Sequence, residues 1–175
     1  MALDGDDRNV WHVKGLAEAH LLCGLKEEGA TQFREILRDF TQTDDDSIKY
    51  VHGWAHYRLG EYAEAATFLK EAAKVSSAYA FAHFDHGLAL LAAGRFDHAR
   101  AAYARAISQL ESLHPLRQRG LLYVAAYDVV DGVRAGRIGR GGETVFELLK
   151  KLLSRLDVHE ANAPWLSGDL FPAVR

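Results

Sequence analysis

DSIKYVHGWAHYRLGEYAEAATFLKEAAKVSSAY (46–79) is followed without a gap by AFAHFDHGLALLAAGRFDHARAAYARAISQLESL (80–113), and the two are copies of one 34-residue unit. Gly53 recurs as Gly87, Gly60 as Gly94, Ala65 as Ala99 and Ala72 as Ala106, while Tyr62 returns as Phe96 and His52 as His86. A fixed period of this size signals stacked supersecondary units, here of helix–turn–helix length. One such unit cannot bury its apolar face alone, so the copies must stack into a solenoid. Ala65 and Ala72, like Ala99 and Ala106, lie seven residues apart and share one helical face. Alanine at a helix crossing lets the axes approach to about 8 Å. Gly53 and Gly87 would serve the same close approach from the partner helix. Gly60 and Gly94 each separate two apolar-periodic runs and read as the left-handed residue that ends one helix and opens the turn. Tyr62 and Phe96 follow two residues later and would plug the junction.

The strings GWAHYRLGEYAEAATFLKEAA and GLALLAAGRFDHARAAYARAI resemble the tetratricopeptide repeat. That family's pattern has small residues at repeat positions 8, 20 and 27, Gly at 15 and an aromatic at 17, and both units meet all five. Lys49 and His83 stand where the family has Trp at position 4, and Ser77 and Glu111 where it has Pro at position 32. The resemblance implies an all-α, right-handed solenoid of antiparallel helix pairs.

A less regular unit precedes these two. With Gly24 as its turn glycine it spans 10–43 and sets Ala17, Phe33 and Ile36 on apolar repeat positions, with Gly29 standing for an alanine. Thr43 to Asp46 form a lengthened connector, and Asp45, Asp46 or Ser47 suits the N-cap of the next helix. After Pro115, LRQRGLLYVAAYDVVDGVRAG carries helical apolar spacing through Leu121, Val124, Ala125, Val129 and Val133. ETVFELLKKLLSRL carries a stripe of Val145, Leu148, Leu149, Leu152 and Leu156 with Lys150, Lys151 and Arg155 opposite. The expected division is a frayed N-terminus over 1–8 and a helical-repeat domain over 9–157. That domain holds units 10–43, 46–79 and 80–113 and capping helices within 115–157. A tail over 158–175 follows, with two of the chain's three prolines.

Composition suits one soluble helical domain: 175 residues, 49% hydrophobic, net charge −3. No run approaches the roughly 20 apolar residues of a membrane helix, and the start lacks a secretory signal pattern. The charge does not favour nucleic acid or anionic lipid. The single cysteine, Cys23, cannot form an internal disulfide. It is expected to be an inert small hydrophobe at a helix end. A cytoplasmic location is expected.

The resemblance also implies where a partner would bind. In this family, positions 2, 5, 9 and 12 of each first helix face the concave surface. Here they are Trp11, Lys14, Glu18 and Leu21, then Ser47, Tyr50, Trp54 and Tyr57, then Phe81, Phe84, Leu88 and Leu91. The expected partner site is Trp11, Lys14, Tyr50, Trp54, Tyr57, Phe81, Phe84 and Leu88, an aromatic and aliphatic surface with few charges. Aromatic side chains bring much contact area for little lost entropy. Either a protein or peptide segment covers this surface, or the chain's own tail, capping helix or next repeat does. The tail residues Trp165, Leu166 and Phe171 are apolar enough to compete for it, in cis or by self-association. The subclass that clamps acidic chaperone termini is similar at Lys14 only. Glu18 and Val51 stand where it has Asn, and Phe81 and Asp85 where it has basic residues.

His52 and His56 are four apart on one helix, and His83 and His86 three apart on the next. Facing pairs of this kind can build a metal site in a bundle. These repeat positions are ordinary packing positions, and neither a cysteine nor a carboxylate motif joins them, so no metal or other cofactor is expected. GRIGRGGET (136–144) lacks the Lys-Ser/Thr of a phosphate loop and follows no strand, so a flexible interhelix loop is expected. The sequence points to a non-enzymatic adaptor or scaffold. The alternatives are a regulatory or sensor segment of a larger multidomain protein, and a secretion-type chaperone.

Overall fold

A computed structural model describes residues 9–41, 45–75, 80–139 and 143–157. The N-terminus, the Thr43–Asp44 part of the connector, Ser77, and Trp165, Leu166 and Phe171 lie outside the described residues. Among the described residues there are eight α-helices and no strand. They are α1 (Val10–Leu22), α2 (Lys26–Asp39), α3 (Asp46–Leu59), α4 (Tyr62–Val75), α5 (Ala80–Ala92), α6 (Phe96–Leu110), α7 (Pro115–Arg134) and α8 (Glu143–Arg155). Each of the first three pairs packs on itself, and α2 on α3 and α4 on α5 join one pair to the next. This is the stacked helix-pair solenoid that the repeat implies. Among the described residues, no helix is long and apolar enough to cross a membrane.

The helix ends follow from local chemistry. Asp45 caps α3 by accepting from the Ser47 amide at 2.7 Å, and Asn9 caps α1 by accepting from the Trp11 amide at 2.8 Å. Gly24, Gly60 and Gly94 have φ of 80, 84 and 71°, where an L side chain is strained. Each is followed by the same pair of bonds. The glycine amides donate to Leu21, Tyr57 and Leu91, and the amides of Leu25, Glu61 and Arg95 donate back to His20, His56 and Leu90. That is one helix-ending motif used three times. Gly136 uses it a fourth time, with φ of 71° and Arg137 donating to Gly132. The first part of the 136–144 stretch is therefore an ordered turn, not the flexible loop expected, and its last two residues open α8. Ile138, just beyond the turn, is 1% exposed.

Ala65, Ala72, Ala99 and Ala106 are all fully buried. The glycines on the facing helices have a more specific role. A Cβ on Gly53 would lie 2.6 Å from Leu69 Cγ, and one on Gly87 would lie 2.5 Å from the Tyr103 ring. Leu69 and Tyr103 occupy the same position in successive repeats, so a large side chain lies across each glycine. Tyr103 is 1% exposed and has nowhere to go. Gly87→Ala and Ala99→Leu are each expected to destabilise by about 1–3 kcal/mol through overpacking. Ala104→Leu, on the exposed face of the same helix as Ala99, should be nearly silent. Urea unfolding reads all three, and a wild-type midpoint for Gly87→Ala would refute the close approach.

The last pair departs from the pattern. α7 packs on α8 and reaches across to α5, and α8 touches α6. Its buried face is Leu122, Ala125, Ala126, Val129 and Val133. Val124, expected to face inward, is 51% exposed, because Leu122 and Ala126 take the inward face instead. The α8 stripe is buried as its spacing predicts, with Leu156 half-buried. Cys23 is the exposed C-cap of α1, so it is not the packed hydrophobe expected. The helix ends one residue before it, which turns the thiol away from the core.

Candidate partner-binding groove

The first helices α1, α3, α5 and α7 lie side by side, each touching the next but one in sequence. An aromatic ladder crosses three of them. Trp11 of α1 stacks on Tyr50 of α3 at 5.3 Å between centroids, and Tyr50 meets Phe81 of α5 edge-on at 4.8 Å. The Tyr50 hydroxyl donates to Asp85 Oδ2 at 2.7 Å, deep in the core. Lys14 sits one helical turn from Trp11, with its ammonium 4.9 Å from the Trp54 ring centroid and 6.0 Å from that of Tyr50. The Arg58 guanidinium lies 5.1 Å from the Trp54 ring. Glu18 ties these together. It accepts from Arg58 Nε at 2.8 Å and Nη2 at 2.5 Å, and from Trp54 Nε1 at 2.5 Å.

Burial sets the ionisation here. Desolvation raises the Asp85 carboxyl to about 6, although its bond from Tyr50 and the charge of Lys14 pull it back. Desolvation, then the negative charge of Asp85, raises Asp128 of α7 to about 7, with Arg58 opposing. Burial thus disfavours the charged form of both carboxyls, and a charge on Asp85 further opposes ionisation of Asp128. Burial lowers Lys14, with Glu18, Asp85 and Asp128 holding its proton on. Burial also pushes the Tyr50 hydroxyl well up, and that of Tyr57 up to about 12.

α7 and the turn after it close one end of this face. The Arg137 guanidinium stands 5.7 Å from the Tyr57 ring, its Nε donates to the Tyr57 hydroxyl at 3.4 Å, and it pairs with Asp131. Gly132 lets α7 come this near, since a Cβ there would meet Ile138 at 2.6 Å and the Tyr57 hydroxyl at 3.3 Å. The structure thus brings Trp11, Lys14, Tyr50, Trp54 and Phe81 together. Tyr57, Phe84 and Leu88 lie deeper, at 1–3% exposure, and Tyr50 and Trp54 are each 6% exposed. Trp11, Lys14 and Phe81 are half-buried and form the accessible rim. The surface is not poor in charge, as its sampled positions suggest. Arg58, Asp85, Asp128, Asp131 and Arg137 all enter it, from helix positions between those sampled and from a helix outside the repeats.

The histidines have local roles. His52 Nε2 is 2.6 Å from the Phe40 carbonyl, and His56 Nδ1 is 2.5 Å from Glu61. Burial lowers His83, and lowers His86 to about 4. Among the described residues, no group of three or more His, Cys, Asp or Glu is placed to hold a metal ion.

Residues 16–83 and 50–113 each match the family model described as tetratricopeptide repeat, and together these matches span more than half of the 175 residues. No curated protein and no solved structure matches the chain.

Proposed function

Because the chain belongs to the tetratricopeptide repeat family, whose repeats generally mediate protein–protein interaction, we propose that it is a non-enzymatic adaptor. It binds a protein or peptide segment along the ladder of Trp11, Tyr50 and Phe81, beside Lys14. The ladder itself carries this reading. Three rings from three successive first helices lie in one row, Trp11 stacked on Tyr50 and Tyr50 edge-on to Phe81, with the outer two partly open to solvent. Rigid aromatic area of this kind is what a binding hot spot needs. Trp54, Tyr57, Phe84 and Leu88 support the row from beneath and define its shape, and direct contact falls to Trp11, Lys14 and Phe81. The bound segment gains mainly from apolar burial, so its affinity changes little with salt. The net charge of −3 argues against a nucleic-acid partner. The exposed thiol of Cys23 suits a reducing, cytoplasmic setting.

The test is capture of binding proteins by the wild type beside a Trp11→Ala, Phe81→Ala double variant. Both residues are half-buried, so the variant should keep its helical circular dichroism. A partner retained by wild type should fall about tenfold or more with the variant, which is ~1.4 kcal/mol or more. Equal retention by a folded variant would refute the site.

A further inference from the structure

A second pocket, of about 290 Å³, lies between α4, α5 and α6 and shares no residue with the ladder. Its α5 residue His86 is five positions from Phe81, about 140° around the helix. Lys70 of α4, Arg95 at the N-cap of α6, and His98 and Arg105 of α6 line the rest. Lys70, Arg95 and Arg105 are exposed, and none of them has a side-chain hydrogen bond or ion pair among the described residues. Glu71, the acidic residue of the lining, is held by Lys74 at 2.6 Å. His86 is only 8% exposed and has no hydrogen-bond partner among the described residues either. Neither of its ring nitrogens is sealed from solvent, so the imidazole opens into the pocket. His52, its counterpart in the preceding repeat, lies against the Phe40 carbonyl instead.

We propose that this pocket binds the phosphate group of a phosphate monoester, held by Lys70, Arg95 and Arg105 over the His86 ring. The repeat itself shows that the fold does not need these cations. Arg95, His98 and Arg105 stand 34 residues after Glu61, Glu64 and Glu71, so the second copy replaces three carboxylates with two guanidinium groups and an imidazole. Both copies form the same helix pair. Like charges gathered around one cavity repel each other, and an anion between them turns that repulsion into attraction. Burial first, and then the charges of Arg105, Lys70, His83 and Arg95, lowers His86 to about 4, which places those groups around its ring. The ligand class follows from the charge. Three fixed cations outmatch one carboxylate, whereas a phosphate monoester carries close to two charges near neutrality and three acceptor oxygens. The planar forks of Arg95 and Arg105 suit those oxygens. The cavity is roomy enough, since about 10–15 Å³ of such space already holds a water. A nucleic-acid strand would need a basic stripe on a chain whose net charge is −3, so a single phosphate fits better.

Magnetic resonance of the histidine rings in the full chain, at constant ionic strength, tests this. Inorganic phosphate, and a glycine peptide carrying one phosphoserine, should each shift the His86 signals until they saturate, and should raise the pH at which His86 titrates. Sodium chloride and the unphosphorylated peptide should do neither. An Arg95→Glu, Arg105→Glu double variant, which restores the residues of the preceding repeat, should bind about tenfold or more weaker while circular dichroism shows it folded. Lys70→Ala should weaken binding about threefold or more on its own. Arg134→Glu with Arg155→Glu changes net charge equally but lies on α7 and α8, and should leave affinity as it is. Saturation by the phosphopeptide would assign the pocket to a phosphorylated side chain, and saturation by inorganic phosphate alone would assign it to a free phosphate. No saturable shift with either probe would overturn the proposal. Equal affinity in the folded Arg95, Arg105 variant and in Lys70→Ala would overturn it too, as would an equal loss in the Arg134, Arg155 control.

Discussion

Trp54→Ala is expected to cost about 3–5 kcal/mol of stability, and Phe84→Ala a comparable amount. Trp54 is only 6% exposed, and its ring is covered on every side that the structure describes by chain of its own. Tyr57 lies 5.4 Å away, Lys14 and Arg58 place their cations at 4.9 and 5.1 Å, and the indole nitrogen donates to Glu18. Removing the ring therefore leaves a cavity and strips one bond from a partly buried carboxylate. Phe84 is 3% exposed and meets the Tyr103 ring at 5.9 Å, so its loss also opens the core between α5 and α6. Against a total of roughly 5–15 kcal/mol for a domain, either change is large, and the pair together could unfold the chain. Urea unfolding followed by circular dichroism measures it. A loss below about 1 kcal/mol for Trp54→Ala would show that the site collapses around the gap. The consequence for binding is direct: lost capture in a Trp54, Phe84 double variant would report unfolding, whereas Trp11 and Phe81 report the surface.

The repeat spacing makes the helices and turns legible because their causes are local. A glycine that must be left-handed, an aspartate that can cap, and alanines seven apart each act within one or two helical turns. The same spacing states which residues of α3 and α5 share a face, but not what covers that face. Tyr57 is closed off by Arg137 and by α7 at Gly132, some 75–80 residues later in the chain, and no period links them. The charges of the groove were hidden for a similar reason. Glu18 and Arg58 stand 40 residues apart, in the irregular unit and the regular one. Arg58 also lies at a repeat position outside those that face a partner in the family. A signal was present in the sequence: Glu18 stands in the partner-facing set of α1 among aromatic positions, and a carboxylate drawn under such rings needs hydrogen-bond donors from the neighbouring helix. The turn at Gly136 could have been found as well, since it repeats the helix-ending glycine of the three earlier turns.

Glu18→Ala is expected to destabilise by about 3 kcal/mol, and its coupling to Arg58 is the measurement that identifies why. The side chains of Arg58 and Glu18 are only 16% and 19% exposed, and two parallel bonds join them. Burial alone would weaken the charge on Arg58, and the bonds and charge from Glu18 more than restore it. Without Glu18 the guanidinium has Asp131, at 3.9 Å, as its nearest remaining ion-pair partner, and Trp54 Nε1 loses its acceptor. The cost of the single change is mostly that of an uncompensated buried charge, not the net worth of the pair. Replacing both ends with apolar residues, Glu18→Met with Arg58→Met, should therefore cost clearly less than the two single changes added together, with a coupling of about 1–3 kcal/mol. If unfolding free energies for the two single variants and the double variant simply add, the pair is solvated enough to be worth little. The bridge between α1 and α3 would then rest on the Trp11–Tyr50 stack instead. Strong coupling would mean that the floor of the proposed partner site is held in place by a partly buried ion pair, and that Trp54 keeps its orientation through Glu18.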